Sequence, residues 1–187
     1  MAYLSSTAFE ARVTNNEFDA LCNITGKFQS ASADADCSAG FLCVRGDLLP
    51  CEGFGSTVFN ENAYYMEAAT SAVDGKDPIY ACNMYEAKMI DNYFIGTETL
   101  GLGIPAGRYG TFTKIAFDGA SKYRFGIGNV SGSLSSGYDY LTIDAGLLSP
   151  ASSAPESGVY FKIMGTGNFI EGTTDSFGYV DAEAHMA

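Results

Sequence analysis

Through the second half of the chain, apolar and polar residues alternate in short runs, each closed by a turn that carries glycine. Tyr123, Phe125 and Ile127 alternate with Lys122, Arg124 and Gly126, while Val159, Phe161 and Ile163 alternate with Gly158, Tyr160 and Lys162. A period of two sends one set of side chains to a core and the other to water, which predicts half-buried strands. Residues 138–144 and 177–182 read the same way, and turns are expected at Asp118-Gly119, Gly146, Ser149-Pro150 and Gly165-Thr-Gly167. Between Leu100 and Phe117 a Gly/Pro loop feeds a β-branched and aromatic strand.

The first half is less regular. Phe9, Ala11 and Val13 alternate with Glu10, Arg12 and Thr14, predicting one strand, and residues 16–22 fit a single helical turn capped by Asn16. Further strands are expected over residues 41–45, 63–68 and 78–85, all rich in Tyr, Phe, Val or Ile. Residues 29–40 are mostly Ser, Ala and Asp. The pattern therefore predicts a loop-rich N-terminal arm or lobe over residues 1–60 and a β-domain over 61–187. With about eight to ten short strands and no long amphipathic helix, the fold class is all-β, a β-sandwich or distorted barrel.

Composition narrows the choice of function. The 187 residues are 47% hydrophobic and 13% aromatic, enough for one sizeable core, and 22 glycines match the density of turns. Against 10 Lys and Arg stand 22 Asp and Glu, a formal charge of −12. Such a charge repels a phosphate backbone and an anionic membrane surface, so neither nucleic acid nor membrane is an expected partner. The first ten residues hold neither a basic stretch nor an apolar one, and no apolar run approaches ~18 residues. Synthesis and maturation in the cytoplasm are expected. Cys22, Cys37, Cys43, Cys51 and Cys82 are odd in number, confined to the first half and without C-x-x-C spacing. Buried thiols acting as small hydrophobes fit best, one disulfide stays open, and zinc is disfavoured.

Candidate chemistry thins out on inspection. A Ser or Cys nucleophile needs a base, and the single histidine, His185, lies two residues from the end, where an exposed side chain is expected. Asp139 with Asp144, and Glu171 with Asp175, lie beside turns at spacings that do not single out a glycosidase pair. Gly101-x-Gly103-x-x-Ala106 has the glycines of a dinucleotide loop but is followed by a strand, not by the helix N-terminus that receives a pyrophosphate. Asp34-Ala-Asp36 and Asp74-Gly-Lys-Asp77 lack the spaced acidic set of a calcium loop. Arg45-Gly-Asp47 is expected to form a turn leaving the 41–45 strand. Asn23-Ile-Thr25 and Asn129-Val-Ser131 match glycosylation acceptors, which matter only in a secreted chain. No catalytic, cofactor-binding or metal residue is assigned. Tyr64, Tyr65, Tyr138, Tyr140 and Tyr160 suit cross-strand packing, protein contact or sugar stacking.

Several phrases carry a resemblance. Leu100-Gly-Leu-Gly-Ile-Pro-Ala-Gly107 with Thr111-Phe112, then Gly126-Ile-Gly-Asn129, Thr142-Ile-Asp-Ala-Gly-Leu-Leu-Ser-Pro-Ala151, Gly158-Val-Tyr-Phe-Lys-Ile163 and Phe169-Ile-Glu-Gly172, are similar to small structural proteins encoded beside the major capsid gene of tailed bacteriophages and prophages. The resemblance implies a non-enzymatic capsid decoration or cement protein, or the base of a head fibre. Its partner would be the major capsid protein, its place the virion surface after assembly in the bacterial cytoplasm, and its form a symmetric homo-oligomer. Under that reading Tyr3, Leu4, Phe9 and Arg12 contribute the capsid-docking surface, as an arm adding a strand or apolar contacts. Two other readings stay open: a tail-tube or fibre subunit, and a carbohydrate-binding or adhesin module using exposed tyrosines.

Overall fold

The computed structural model describes residues 9–13, 23–50, 59–70, 78–85, 103–135, 137–168 and 178–187. The chain is all-β, built from two sheets. One is open and holds six strands: β1 (Phe9–Val13), β8 (Lys122–Gly126), β9 (Tyr140–Asp144), β10 (Leu147–Ala151), β11 (Val159–Asn168) and β12 (Gly178–Met186). Their spatial order is β1-β8-β12-β11-β9-β10, with every pair antiparallel. The other contains β2 (Asn23–Ser30), β3 (Ala33–Asp34), β4 (Leu42–Pro50), β5 (Phe59–Ala68), β6 (Ile79–Tyr85) and β7 (Gly110–Lys114) in the order β3-β2-β5-β4-β6-β7. Pairing of β2 with β7 over Asn23–Gly26 closes this sheet into a barrel, and β2 runs parallel to β5.

Two apolar cores result. In the barrel, Phe28, Cys37, Cys43, Met66, Tyr80, Cys82, Ile104 and Phe112 fill the interior. Between the barrel wall and the open sheet lies the second, where Phe9, Tyr123, Phe125 and Phe161 meet as a cluster of rings with centroids 5.3–6.5 Å apart. Tyr123 is fully buried, and its hydroxyl accepts the Ala116 N–H at 2.8 Å, so its polar end is satisfied.

Strands β4 and β6 serve both cores. Leu42, Ile79 and Ala81 face the open sheet, while Cys43, Tyr80 and Cys82 face the barrel interior. A strand buried on both faces reads as a continuous apolar run, which is what Phe41-Leu-Cys-Val44 and Ile79-Tyr-Ala-Cys82 are. The sheets are also joined through backbone. The β9–β10 hairpin turns through Ala145 (φ 47°) and Gly146 (φ 83°), then reaches across to the barrel. There the Gly146 N–H donates to Ala69 O at 2.8 Å and the Leu42 N–H donates to Gly146 O at 2.8 Å. A Cβ at Gly146 would run into the Phe41 ring, so the turn and the close approach both require glycine.

The loop after Gly103 plugs one end of the barrel. Cys37 and Ile104 exchange two backbone hydrogen bonds, of 2.8 and 2.7 Å, and the Ile104 side chain enters the core. The described part of the cofactor-like glycine phrase, Gly103–Ala106, is thus a structural plug leading into β7.

Several sequence expectations shift. Within residues 23–50, read as part of a loop-rich arm holding a strand over 41–45, lie β2, β3 and the longer β4, and β4 pairs with β5 across residue 60. Strand β2 hides its period because Gly26 occupies an inward position, where a Cβ would lie 2.5 Å from Met66 Cγ. Arg45-Gly-Asp47 is no turn: it lies inside β4 at a bulge, between the pairs Arg45–Met66 and Leu48–Tyr64. Ser149-Pro150 is inside β10, where Pro150 is tolerated on an edge strand, and Gly165–Gly167 is inside β11 beside a bulge at Met164. Ile127 opens a 3-10 turn, Ile127–Asn129, instead of extending β8. The Asp118-Gly119 turn is present, with Asp118 Oδ1 accepting from the N–H groups of Ala120 and Ser121 at 3.0 and 2.7 Å. The helical turn expected over 16–22 lies outside the described residues.

Candidate functional site

Of the docking residues expected at the N-terminus, Tyr3 and Leu4 lie outside the described residues. Phe9 is 5% exposed and packs on Tyr123 and Phe125, so its ring belongs to the chain's own core. Strand β1 adds to β8 at the edge of the open sheet, and Arg12 occupies the register irregularity between Ala11 and Val13. The segment does add a strand, to its own sheet.

The outer face of that sheet gathers a row of paired polar side chains. Period-two alternation in β12 sends Val180, Ala182 and Ala184 inward and leaves Tyr179, Asp181, Glu183 and His185 on the opposite face. Across the strand pairs stand Arg124 opposite Asp181, Lys122 opposite Glu183, Lys162 opposite Glu183 and Tyr160 opposite His185. Arg124 grips Asp181 with two hydrogen bonds, Nε to Oδ1 and Nη2 to Oδ2, both 2.7 Å. This forked geometry is the strongest form of such a pair. The same guanidinium sits 3.6 Å from the Tyr179 ring centroid, and that ring in turn covers Gly167 on β11. His185 Nε2 lies 2.9 Å from Glu183 Oε1, within hydrogen-bonding distance. The imidazole stacks on Tyr160, centroids 5.3 Å apart, and Tyr160 meets Tyr140 edge-on at 5.8 Å.

A line of paired side chains in two groups, Tyr179–Arg124–Asp181 and Glu183–His185–Tyr160–Tyr140, therefore crosses the sheet. His185, expected to be exposed near the terminus, is instead half-buried in this line. The signal was the alternation Val180, Ala182, Ala184, which carries β12 through to Met186. Beside Tyr179, a shallow cleft is lined by Ile127, Leu134, Thr166 and Gly178.

The other candidates are absorbed by the fold. Lys27 Nζ and Asp34 Oδ2 pair at 2.8 Å across the β2–β3 hairpin. Hydrogen bonding to Lys27 lowers the Asp34 carboxyl below its ordinary range, and Asp34 raises the Lys27 ammonium in return. Asp36 Oδ1 accepts the Ala106 N–H at 2.7 Å and fastens the plug. Asp139 and Asp144 are exposed, at opposite ends of β9. Arg45 lies over the Tyr64 ring at 4.8 Å. Asn129 is 1% exposed, out of reach of a glycan. Cys37, Cys43 and Cys82 are free and buried. Asp74, Asp77, Glu171, Asp175, Cys22 and Cys51 lie outside the described residues. Tyr138 is 38% exposed, whereas the rings of Tyr64, Tyr160 and Tyr179 each have a face covered by Arg45, His185 and Arg124.

The outer face can offer a partner a rigid surface of tyrosine, arginine and acidic groups, a composition suited to protein contact. Comparison with protein-family models, curated protein sequences and solved structures gives no match to this chain.

Proposed function

We propose that the chain is a non-enzymatic virion structural protein that decorates and stabilises a bacteriophage capsid. The observation that carries the reading is the structural use made of four aspartates and the histidine among the described residues. Asp34, Asp36, Asp118 and Asp181 hold a hairpin, the plug, a turn and the outer face, and His185 is fixed between Glu183 and Tyr160. Side chains employed in this way support a scaffold that presents a surface. The resemblance of the phrases from Leu100 onward to capsid-associated proteins supplies the class of partner. Binding to the assembled shell and not to free subunits would stabilise the shell by mass action. The covered faces of Tyr160 and Tyr179 favour a protein partner over sugar stacking.

Docking falls to the residues ahead of Phe9, which the Phe9 anchor starts from the open sheet's edge, together with the outer face. The test is mass spectrometry and cryo-electron microscopy of phage particles purified from the bacterium that carries the gene. Expected is a fixed copy number per capsomer, with density on the outside of the shell. Absence from purified heads, or density only in tails or fibres, overturns the reading. Deleting residues 1–8 removes Tyr3 and Leu4 while keeping β1, and should lower shell occupancy.

A further inference from the structure

Three thiols share the barrel interior. Cys37, Cys43 and Cys82 are reduced and at most 1% exposed, in one cluster with Met66, Ile104 and Phe112. Cys43 and Cys82 lie on the neighbouring strands β4 and β6, whereas Cys37 lies outside the barrel strands, on the segment that pairs with the plug at Ile104. The Cys82 thiol points at the Cys37 carbonyl oxygen, 3.6 Å away, and the Cys37 and Cys43 thiols point at the carbonyls of Ser38 and Phe41, 4.0 and 3.9 Å away; the protonation of Cys37 is coupled to both Cys43 and Cys82. Cys37 is thus the thiol coupled to both of the others. Among the described residues no group of three donors is arranged to hold a metal ion.

We propose that Cys37 is the obligatory partner in a single disulfide, to Cys43 or to Cys82, that forms inside the barrel when the protein meets a peroxide. The Cys37 thiolate attacks one peroxide oxygen, the O–O bond breaks, and a sulfenic acid and one water result. The neighbouring thiol then attacks that sulfur, the S–S bond forms, and the sulfenic oxygen leaves as a second water. Two thiols are oxidised, one hydrogen peroxide is reduced, and the third thiol is untouched. The product staples the plug segment to the barrel wall and closes the route by which the plug withdraws.

In the closed barrel, hydrogen bonding to Cys43 together with burial pushes the Cys37 thiol far up, and burial does the same for Cys43. A protonated thiol is a poor nucleophile, so the reaction waits for the plug to loosen. The rate should therefore level off as peroxide is increased. Gly103→Ala should raise it several-fold, because the added Cβ would collide with the Cys37 carbonyl and weaken the plug's seat.

The experiment treats the full native chain with hydrogen peroxide, quenches with acid, alkylates the remaining thiols after unfolding and maps chymotryptic peptides. Cleavage after Phe41 separates Cys37 from Cys43. Expected are Cys37–Cys43 or Cys37–Cys82 linked peptides, lost in Cys37→Ser. If Cys37→Ser fails to fold, Cys43→Ala and Cys82→Ala singly should each keep a link to Cys37, and the double variant should have none. A Cys43–Cys82 link in any variant overturns the proposal. So does recovery of all three thiols from the native chain under peroxide that links them in the urea-unfolded chain. The proposal stands independently of any role in a capsid.

Discussion

The open sheet and the barrel are both built on alternating strands, yet they fill their interiors with different material. Against the open sheet lie four large rings, Phe9, Tyr123, Phe125 and Phe161. The barrel takes Phe28, Tyr80 and Phe112 only alongside three cysteines and an inward glycine, Gly26. Closure explains the contrast. A sheet curled on itself has a narrow interior, so each large ring must be offset by a small neighbour; an open sheet laid on a barrel wall spreads its rings over a broad contact. Cysteine suits the first setting because it is small, apolar and polarizable.

Truncation separates the two cores most sharply. Phe161 is fully buried and touches the rings of Phe117, Tyr123 and Phe125. Phe161→Ala should cost about 3–5 kcal/mol in urea denaturation. Cys82→Ala in the barrel should cost roughly 1 kcal/mol, the worth of one methylene-sized group. Equal losses would break the comparison.

A smaller effect is expected where the two halves join. Gly146→Ala combines a positive φ with a collision at Phe41, and should lower stability by roughly 2–4 kcal/mol. Gly132 has φ 88° but open space around it, so Gly132→Ala carries the backbone strain alone and should cost about 1 kcal/mol. The difference between the two measures how tightly sheet and barrel are pressed together.

Smallest is the Lys27–Asp34 pair on the exposed β2–β3 hairpin. The Asp34 carboxyl is lowered on folding, so its contribution is complete above the unfolded carboxylate pKa and is lost as pH falls through the lowered value. Lys27 is raised, so its share is present below the unfolded lysine pKa and is lost only as pH rises through the raised value. Asp34→Asn should flatten the acid limb of the stability profile slightly and leave the two cores' response unchanged. A large loss at neutral pH would show that this hairpin holds the barrel shut.

Legibility in the sequence followed the same division. In the open sheet, residues 122–126 and 159–163 alternate cleanly, because one face meets a core and the other meets water, and both strands were read. In the barrel, β2 escaped because Gly26 replaces the expected apolar residue, and β4 was cut short because Arg45-Gly-Asp47 resembles a turn while forming a bulge. A bulge is a tertiary event, set by the partner strand β5, and local composition does not report it. The outer-face line from Tyr179 to Tyr140 was equally hidden, since its pairs come from four strands far apart in the chain. Only the alternation of β12 hinted that His185 is held in place.

Because β4 and β6 present one face to each core, the barrel and the open sheet do not have separate fates. Stripping away the open sheet would bare Leu42, Ile79 and Ala81, and opening the barrel would bare Cys43, Tyr80 and Cys82 from the same two strands. Their amide hydrogens should exchange with solvent last of all, through global unfolding alone. The molecule is thus built as one cooperative block, and a chain split between its two sheets would leave each fragment with a raw apolar wall.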